Sequence, residues 1–331
     1  VNLLYLSCHE VLEYDELRMF REIPDLNVFS PGAYIEPKKG LGMRPGLDLH
    51  YPQEWLDAWD TIVATIEKPN HKNHLTAQSV EPFDVIIIMH HWPWLFENWE
   101  VIKNKRVIWR DIGQTEPEEE TFYLKQAKEL GVKLVRYWDG YQSRANYQGH
   151  DAIIPFGKYS DDFPVWSGEK QSVIGLCQSI KERAESCKFD CWETSTKGFS
   201  RTMYGTGNSD LHCFGGIPSY SELKQLMSCY RAMWYGGTRP APYTLGLMEA
   251  MFVGLPVYTV HDHGWETAVP EMLHDTQLAS NSEELRERIH SAITSDTRMF
   301  HELSQMQIKY AQKTWDASVI KSKWEIFLKS I

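Results

Sequence analysis

Residues able to do chemistry are most concentrated between Gly236 and Val260. Gly236-Gly-Thr-Arg-Pro-Ala-Pro242 reads as a loop, a helix opens at Thr244–Gly246 and runs to Gly254, and Pro256–Val260 follows as a buried strand. A helix start carries unpaired amides and the positive end of the helix dipole, which together favour a phosphate. Thr244 is placed to cap that start or to donate to a ligand oxygen, and Leu245 and Gly246 supply first-turn amides. Glu249 lies near the same end. A carboxylate there can accept hydrogen bonds from two sugar hydroxyls, or simply complement the dipole.

A phosphate also favours nearby cations. Lys181, Arg183 and Lys188 follow the apolar run Ser172–Cys177, and Arg239 stands beside the helix start. A guanidinium fork suits phosphate oxygens and an ammonium adds a point charge. The same lysines and arginine alternate with Glu182 and Glu185, as a solvated helix face would. In the first half, His90-His91 ends one buried run and Arg110-Asp111 ends the next. The C-terminal ends of strands are the ligand-facing edge of an open α/β sheet, so His91 and Asp111 are candidates to orient a hydroxyl. His9 follows the first strand in the same way, and a capping or core role is open for all three. His261 and His263, or Cys187 and Cys191 with His212-Cys213, lack a matching set of ligands, so no metal site is expected. The six cysteines are expected to be reduced thiols in a cytoplasmic protein. Trp92, Trp94 and Trp99 would serve either a sugar-stacking wall or a packed core.

The elements that must position these groups are short apolar runs alternating with helical patterns, the signature of βαβ units. Strands are expected at Leu3–Leu6, Asp84–Met89, Arg106–Trp109 and Lys133–Tyr137, then at Ser172–Cys177, Asp210–Phe214, Ala232–Tyr235 and Pro256–Val260. Helices are expected at Glu118–Leu130, ended by Gly131, and at Tyr220–Ser228, Glu283–Thr294 and Val319–Leu328. Residues 30–52 are too rich in Gly and Pro for a regular element and form a long, functionally suggestive loop. A boundary falls around Pro155–Gly168.

With 331 residues the chain suits two domains rather than one core. A hydrophobic share of 42% and a charged share of 24% are ordinary for a folded domain. No apolar stretch is long enough for a spanning helix, and Val1–Cys8 has no basic leader and reads as a first strand. The net charge of −11 disfavours an extended nucleic-acid footprint without excluding a local basic cleft.

The run Tyr243-Thr-Leu-Gly-Leu-Met-Glu-Ala-Met-Phe-Val-Gly-Leu-Pro-Val257 resembles the donor-site motif of GT-B glycosyltransferases of the family-4 type. Leu211–Leu223 resembles that family's strand, base-contacting turn and following helix, with Pro218 in the turn. The resemblance covers most of residues 172–330 and is weak over residues 1–150. It implies two facing Rossmann-like domains with parallel sheets and an interdomain cleft: residues 1–155 on the acceptor side, 156–312 on the donor side, and 313–331 a helix crossing back. It also implies that Glu249 holds the ribose hydroxyls, that the Thr244–Gly246 amides hold the diphosphate, and that Arg183 and Lys188, with Lys181 and Arg239, neutralise it. The implied reaction is transfer of a sugar from a nucleotide-diphosphate sugar to a hydroxyl acceptor, retaining and with no metal or other cofactor. The acceptor is expected to be a glycan or small molecule, with a hydroxylated DNA base as an alternative. Two departures stand out. Where the family has a glutamate eight positions before Glu249 this chain has Ala241, and the family's Gly-Gly loop after the first strand is replaced by Ser7-Cys-His-Glu10. Two other readings stay open: a non-hydrolysing sugar-nucleotide epimerase, another enzyme class on the same fold, and, from the missing glutamate, a non-catalytic sugar-nucleotide-binding protein.

Overall fold

In the computed structural model, which describes residues 1–30, 52–55, 57 and 75–331, the apolar run after Asp84 is a strand with every residue buried, Val85–Met89. A segment apolar on both faces needs cover on both, which an inner strand of a parallel sheet receives from flanking helices. The chain divides into two compact units, Val1–Gly157 with Ala317–Ile331, and Lys158–Asp316. The first unit holds β1 (Asn2–Leu6), β2 (Asn27–Phe29), β3 (Val85–Met89), β4 (Arg106–Arg110), β5 (Lys133–Arg136) and β6 (Ala152–Ile153) in one parallel sheet of order β2-β1-β3-β4-β5-β6. The Gly- and Pro-rich segment singled out at 30–52 lies, from 31 to 51, outside the described residues.

Two buried ion pairs tie helices to this sheet. Arg110 Nε and Nη2 donate to Glu16 Oε1 of the helix Glu10–Phe20 at 3.0 and 2.8 Å. The same guanidinium lies 4.0 Å from the Phe156 ring centroid and 5.3 Å from that of Trp324. Arg136 pairs with Glu120, Nη1 donating at 2.8 Å. Burying Glu120 reshapes the helix expected over Glu118–Leu130. It is three pieces, Pro117–Glu119, a π turn at Glu120–Leu124, and Lys125–Glu129. Of the two roles open for the tryptophans, the described structure shows core packing: Trp92 stacks on Trp109 with centroids 4.2 Å apart, Trp94 is buried, and Trp99 packs against the same cluster. The helix Ala317–Ser330 belongs to this unit, its Trp324 edge-on to Phe20 at 5.2 Å.

The second unit carries β7 (Lys170–Leu176), β8 (Arg201–Tyr204), β9 (Tyr230–Trp234), β10 (Val257–Val260) and β11 (Leu278–Ala279), all parallel, in the order β11-β10-β9-β7-β8. One expectation fails here. Asp210–Phe214 is a turn with a single bridge from Phe214 to Met203, and the strand is Arg201–Tyr204. Gly205 at φ +128° and Gly207 at φ +74° end that strand. The side chain of Asn208 then bonds Cys177 O and Ile180 N, using the polar groups a strand at 210–214 would have left to a ladder. The helix Leu245–Val253 is buried on all sides from Leu247 onward, as its uniformly apolar sequence requires. It stops at Gly254, φ +82°, where an added Cβ would lie 2.3 Å from Ser304 Oγ. Ser304 belongs to a helix the sequence pattern did not reveal, His301–Trp315, whose Gln307 bonds Val257 N and Leu255 O. No helix among the described residues is long and apolar enough to cross a membrane.

Candidate functional site

Three strand-end loops meet at the C-terminal edge of the second sheet. The segment after β7 holds Lys181 and Arg183, then a short helix Ala184–Cys187, then Lys188 in the left-handed conformation at φ 58°. The loop after β9, Gly236–Pro242, lies against that helix. The Arg239 N–H donates to Ser186 O at 3.0 Å, and a Cβ on Gly236 would sit 2.6 Å from Cys187 O. The loop after β10 closes the third side. Lys188 Nζ donates to Asp262 O at 2.8 Å and stands 5.4 Å from the Trp265 ring centroid. Partial burial holds the Lys188 ammonium below its ordinary value. His263, buried beside Gly237, is pushed down to about 4, first by burial and second by the nearby Lys188 charge. It is a neutral imidazole at neutral pH.

The helix Leu245–Val253 starts from the β9 loop. Thr244 is its N-cap residue in extended conformation, but its hydroxyl makes no capping bond to the first turn, so the capping role weighed for it is not taken up. That leaves the first-turn amides of Leu245 and Gly246 without a side-chain acceptor from the cap. Gly246 has room: an added Cβ would meet nothing nearer than Leu176 Cδ1 at 3.6 Å, so internal packing does not demand a glycine there. By contrast the preceding loop has little left to offer. The Ala241 N–H is bound to Thr238 O at 2.8 Å, and Pro242 has no N–H at all.

Glu249 is 5% exposed, and its Oε1 accepts from Lys158 Nζ, itself 2% exposed, at 2.7 Å. Lys158 was not singled out from sequence, where nothing but its sign of charge connects it to a carboxylate 91 positions away. Its backbone is anchored too, the N–H donating to Trp315 O at 2.8 Å. Lys181 departs from the other cations. Its ammonium pairs with the exposed carboxylate of Asp210 at 2.5 Å, in the turn after β8. Arg183 and Arg239 are both solvent-exposed. Pro218 lines an open pocket of about 660 Å³ with Tyr204, Ile217, Ser221 and Glu222, at the start of the helix Tyr220–Cys229.

At the C-terminal edge of the first sheet, two of the candidate histidines serve helix starts. His9 Nδ1 accepts from Leu12 N at 3.4 Å and His91 Nδ1 from Trp94 N at 3.3 Å. Asp111 is fully buried; its Oδ1 accepts from Gly113 N at 2.8 Å, and its Oδ2 has no hydrogen-bond partner among the described residues. His90, passed over in favour of its neighbour, has φ +56° and a buried Nδ1 likewise without a described partner. Burial lowers its imidazole below the ordinary value while the Asp111 charge opposes that shift. Its positive φ is not visible in the sequence, since nothing in His-His distinguishes the residue that turns from the one that caps.

No protein-family model matches the chain, and no curated protein matches it in sequence. Among solved structures it is similar to the Anabaena protein HepE in complex with UDP-glucose, at 13% identity and a TM-score of 0.69, covering 100% of both chains. It is similar to sucrose-phosphate synthase from Thermosynechococcus elongatus at 11% identity and a TM-score of 0.67, over 99% of this chain and 98% of that one. A glycosyltransferase from Rickettsia africae aligns at 11% identity and a TM-score of 0.64, again over 99% and 98%. At such identities the likeness resides in strand order and helix placement, not in shared side chains. With its two parallel sheets and their helices, the chain has the GT-B fold that its Tyr243–Val257 run implies.

Proposed function

We propose that the chain is a glycosyltransferase moving a sugar from a nucleoside-diphosphate sugar to a hydroxyl acceptor, with retention at the anomeric carbon and without a metal ion. The observation that carries this reading is the convergence of the loops after β7, β9 and β10 on the uncapped start of Leu245–Val253. The diphosphate is assigned to the amides of Leu245 and Gly246 and the Thr244 hydroxyl, with Arg183, Lys188 and Arg239 as its cations. Lys181, held by Asp210, is the weakest member of that set. The ribose hydroxyls are assigned to Glu249, which pairs with Lys158, and the base to the turn at Pro218. As the glycosidic C–O bond breaks, charge grows on the leaving phosphate oxygen, where fixed amides and guanidinium groups stabilise it without reorganising. The acceptor hydroxyl forms the new bond on the same face and gives its proton to a phosphate oxygen. Asp111, His91 and His9 are the acceptor-side candidates. Asp111 leads them, because both histidines already spend Nδ1 on helix starts.

UDP-glucose is the first donor to test, since it is the ligand of HepE. A thermal-shift panel of UDP-, GDP-, ADP- and CMP-sugars on wild type and Glu249→Gln should show stabilisation of wild type by one nucleotide and a smaller shift in the variant. Each shift must be measured against that variant's own ligand-free melt, because the substitution also breaks the pair with Lys158. If no nucleotide stabilises wild type, the donor site is wrong. Transfer should persist in chelator, and proton NMR of the product should show the donor's anomeric configuration. A second reading, a sugar-nucleotide-binding protein without turnover, draws on Ala241 and Pro242, which present neither a carboxylate nor a free N–H to the sugar. Donor binding with no product against any acceptor would favour it, and a new sugar nucleotide formed from donor alone would indicate an epimerase.

A further inference from the structure

His263, in the loop after β10, is 3% exposed. The Thr259 hydroxyl donates to Tyr235 O at 2.6 Å and stands 3.2 Å from His263 Nε2. A hydroxyl has one proton to give, so at Nε2 the Thr259 oxygen accepts and Nε2 carries the ring hydrogen. Nδ1 is then a bare lone pair, buried and without a hydrogen-bond partner among the described residues. It lies beside Gly237 of the β9 loop, where an added Cβ would be 3.2 Å from Nδ1 and 3.1 Å from the Trp265 ring. Trp265 joins both loops to a cation of the site. Its Nε1 donates to Ala241 O at 3.2 Å, and its ring centroid is 5.3 Å from that of His263 and 5.4 Å from Lys188 Nζ. Lys188 in turn donates to the carbonyl of Asp262, the residue before His263. We propose that His263 Nδ1 is a proton acceptor built into the diphosphate site, taking one proton from solvent when a nucleoside-diphosphate sugar binds beside Lys188. This rests on the donor site assigned above.

Burial and the Lys188 charge keep the imidazole down at about 4. The other groups facing the ring are few. The Gly236 backbone and the Asp262 carboxylate favour the proton, and His261 opposes it. The Tyr235 phenol, 6.1 Å away ring to ring, is pushed up to about 12 by burial and stays neutral. A diphosphate changes this balance twice over. Its negative charges pair with the Lys188 ammonium and cancel the repulsion, and their own field attracts the proton. One unit charge about 6 Å away in a protein interior changes a proton affinity by about 100-fold. That gain half-protonates, near pH 6, a ring that otherwise titrates at about 4. The imidazolium adds a fixed positive charge to the wall of the site where the leaving phosphate oxygen gains charge. His261 is exposed, so solvent and salt screen it from the same field.

The test is calorimetry of the full chain with UDP-glucose at pH 6 in buffers of different ionisation enthalpy, which counts the protons taken up. UDP-glucose is the probe because its diphosphate is esterified at both ends and lacks the terminal phosphate that titrates near pH 6. The expected uptake is about half a proton per bound ligand, with affinity falling about tenfold from pH 5 to pH 7. His263→Asn should lose the uptake and the pH dependence, and His261→Asn should keep both. Uptake near zero in wild type, or uptake unchanged in His263→Asn, overturns the proposal. Should His263→Asn not fold, the histidine Cε1–H resonances of wild type at pH 6 decide. One must move toward the imidazolium position when UDP-glucose is added, and none moving overturns the proposal. Binding without uptake refutes the proton acceptor alone. If no nucleotide sugar binds at any pH, the donor reading falls and the proton acceptor with it.

Discussion

Replacing Lys158 by Met tests how firmly Glu249 is built into the second unit. In the native chain the ammonium sits 2.7 Å from Glu249 Oε1, with Lys158 2% and Glu249 5% exposed. Removing the cation leaves a carboxylate in a site where water cannot replace its partner. Breaking a buried pair in this way costs about 3–5 kcal/mol. A domain of this size shifts its melting temperature by about 2–4 °C per kcal/mol, so Lys158→Met should melt roughly 6–20 °C lower. Glu249→Gln alone should also destabilise, because it strands the ammonium. The double variant Lys158→Met/Glu249→Gln has no buried charge and should recover most of the loss, leaving a coupling energy of about 2 kcal/mol or more. The assay is urea denaturation of all four proteins followed by fluorescence of the unit's tryptophans, with the double-mutant cycle built from the extrapolated free energies. Single variants within about 1 kcal/mol of wild type, or additive losses in the double, would refute the reasoning.

Three further outcomes follow from local geometry. Gly246→Ala should melt at or slightly above wild type, since its Cβ meets only Leu176 at 3.6 Å and alanine favours a helix by up to about 1 kcal/mol. UDP-glucose binding measured by calorimetry should nevertheless weaken, and unchanged affinity would take the diphosphate away from this helix start. Gly254→Ala should lose about 1–3 kcal/mol in denaturant, because φ +82° disfavours an L side chain and the new Cβ would lie 2.3 Å from Ser304 Oγ. His263 is depressed from 6.5 to about 4, so the unfolded chain binds the extra proton first. Its contribution is whole above about pH 6.5 and is lost as pH falls to about 4, about 3 kcal/mol in total by that shift. Urea melts across that range should show this slope in wild type and a shallower one in His263→Asn, and parallel slopes would count against a buried neutral imidazole.

Much of the architecture is written locally. Val85–Met89 needs no partner to announce a strand covered on both faces, since five successive apolar residues have no solvent side. Helix Leu245–Val253 is readable from Thr244 at its start and Gly254 at its stop, and the two-residue spacing of Pro256 makes the turn into β10 explicit. Where local signals compete, the reading slips. Leu211, Cys213 and Phe214 look more strand-like than Arg201–Tyr204, and only the glycine turn and the Asn208 bonds show which segment joins β7. The helix His301–Trp315 was not apparent until its Gln307 and Ser304 were seen against the end of Leu245–Val253.

The candidate site divides in the same way. Its residue types, a helix start with Thr and Gly, nearby cations and a carboxylate, stand in the sequence because the amides of a helix start are a property of the local backbone. What the groups do with their hydrogen bonds is not local. Glu249 is held by Lys158 across 91 positions, Arg110 by Glu16 across 94, and Lys188 reaches Asp262 across 74. His9 and His91 became cap residues, whereas His90 was turned inward beside Asp111. Sequence alone determined the strand–helix alternation and the phosphate-friendly helix start, which depend on neighbours a few residues away. Tertiary structure decided which charges are paired and which histidine is buried, because those depend on where distant segments pack.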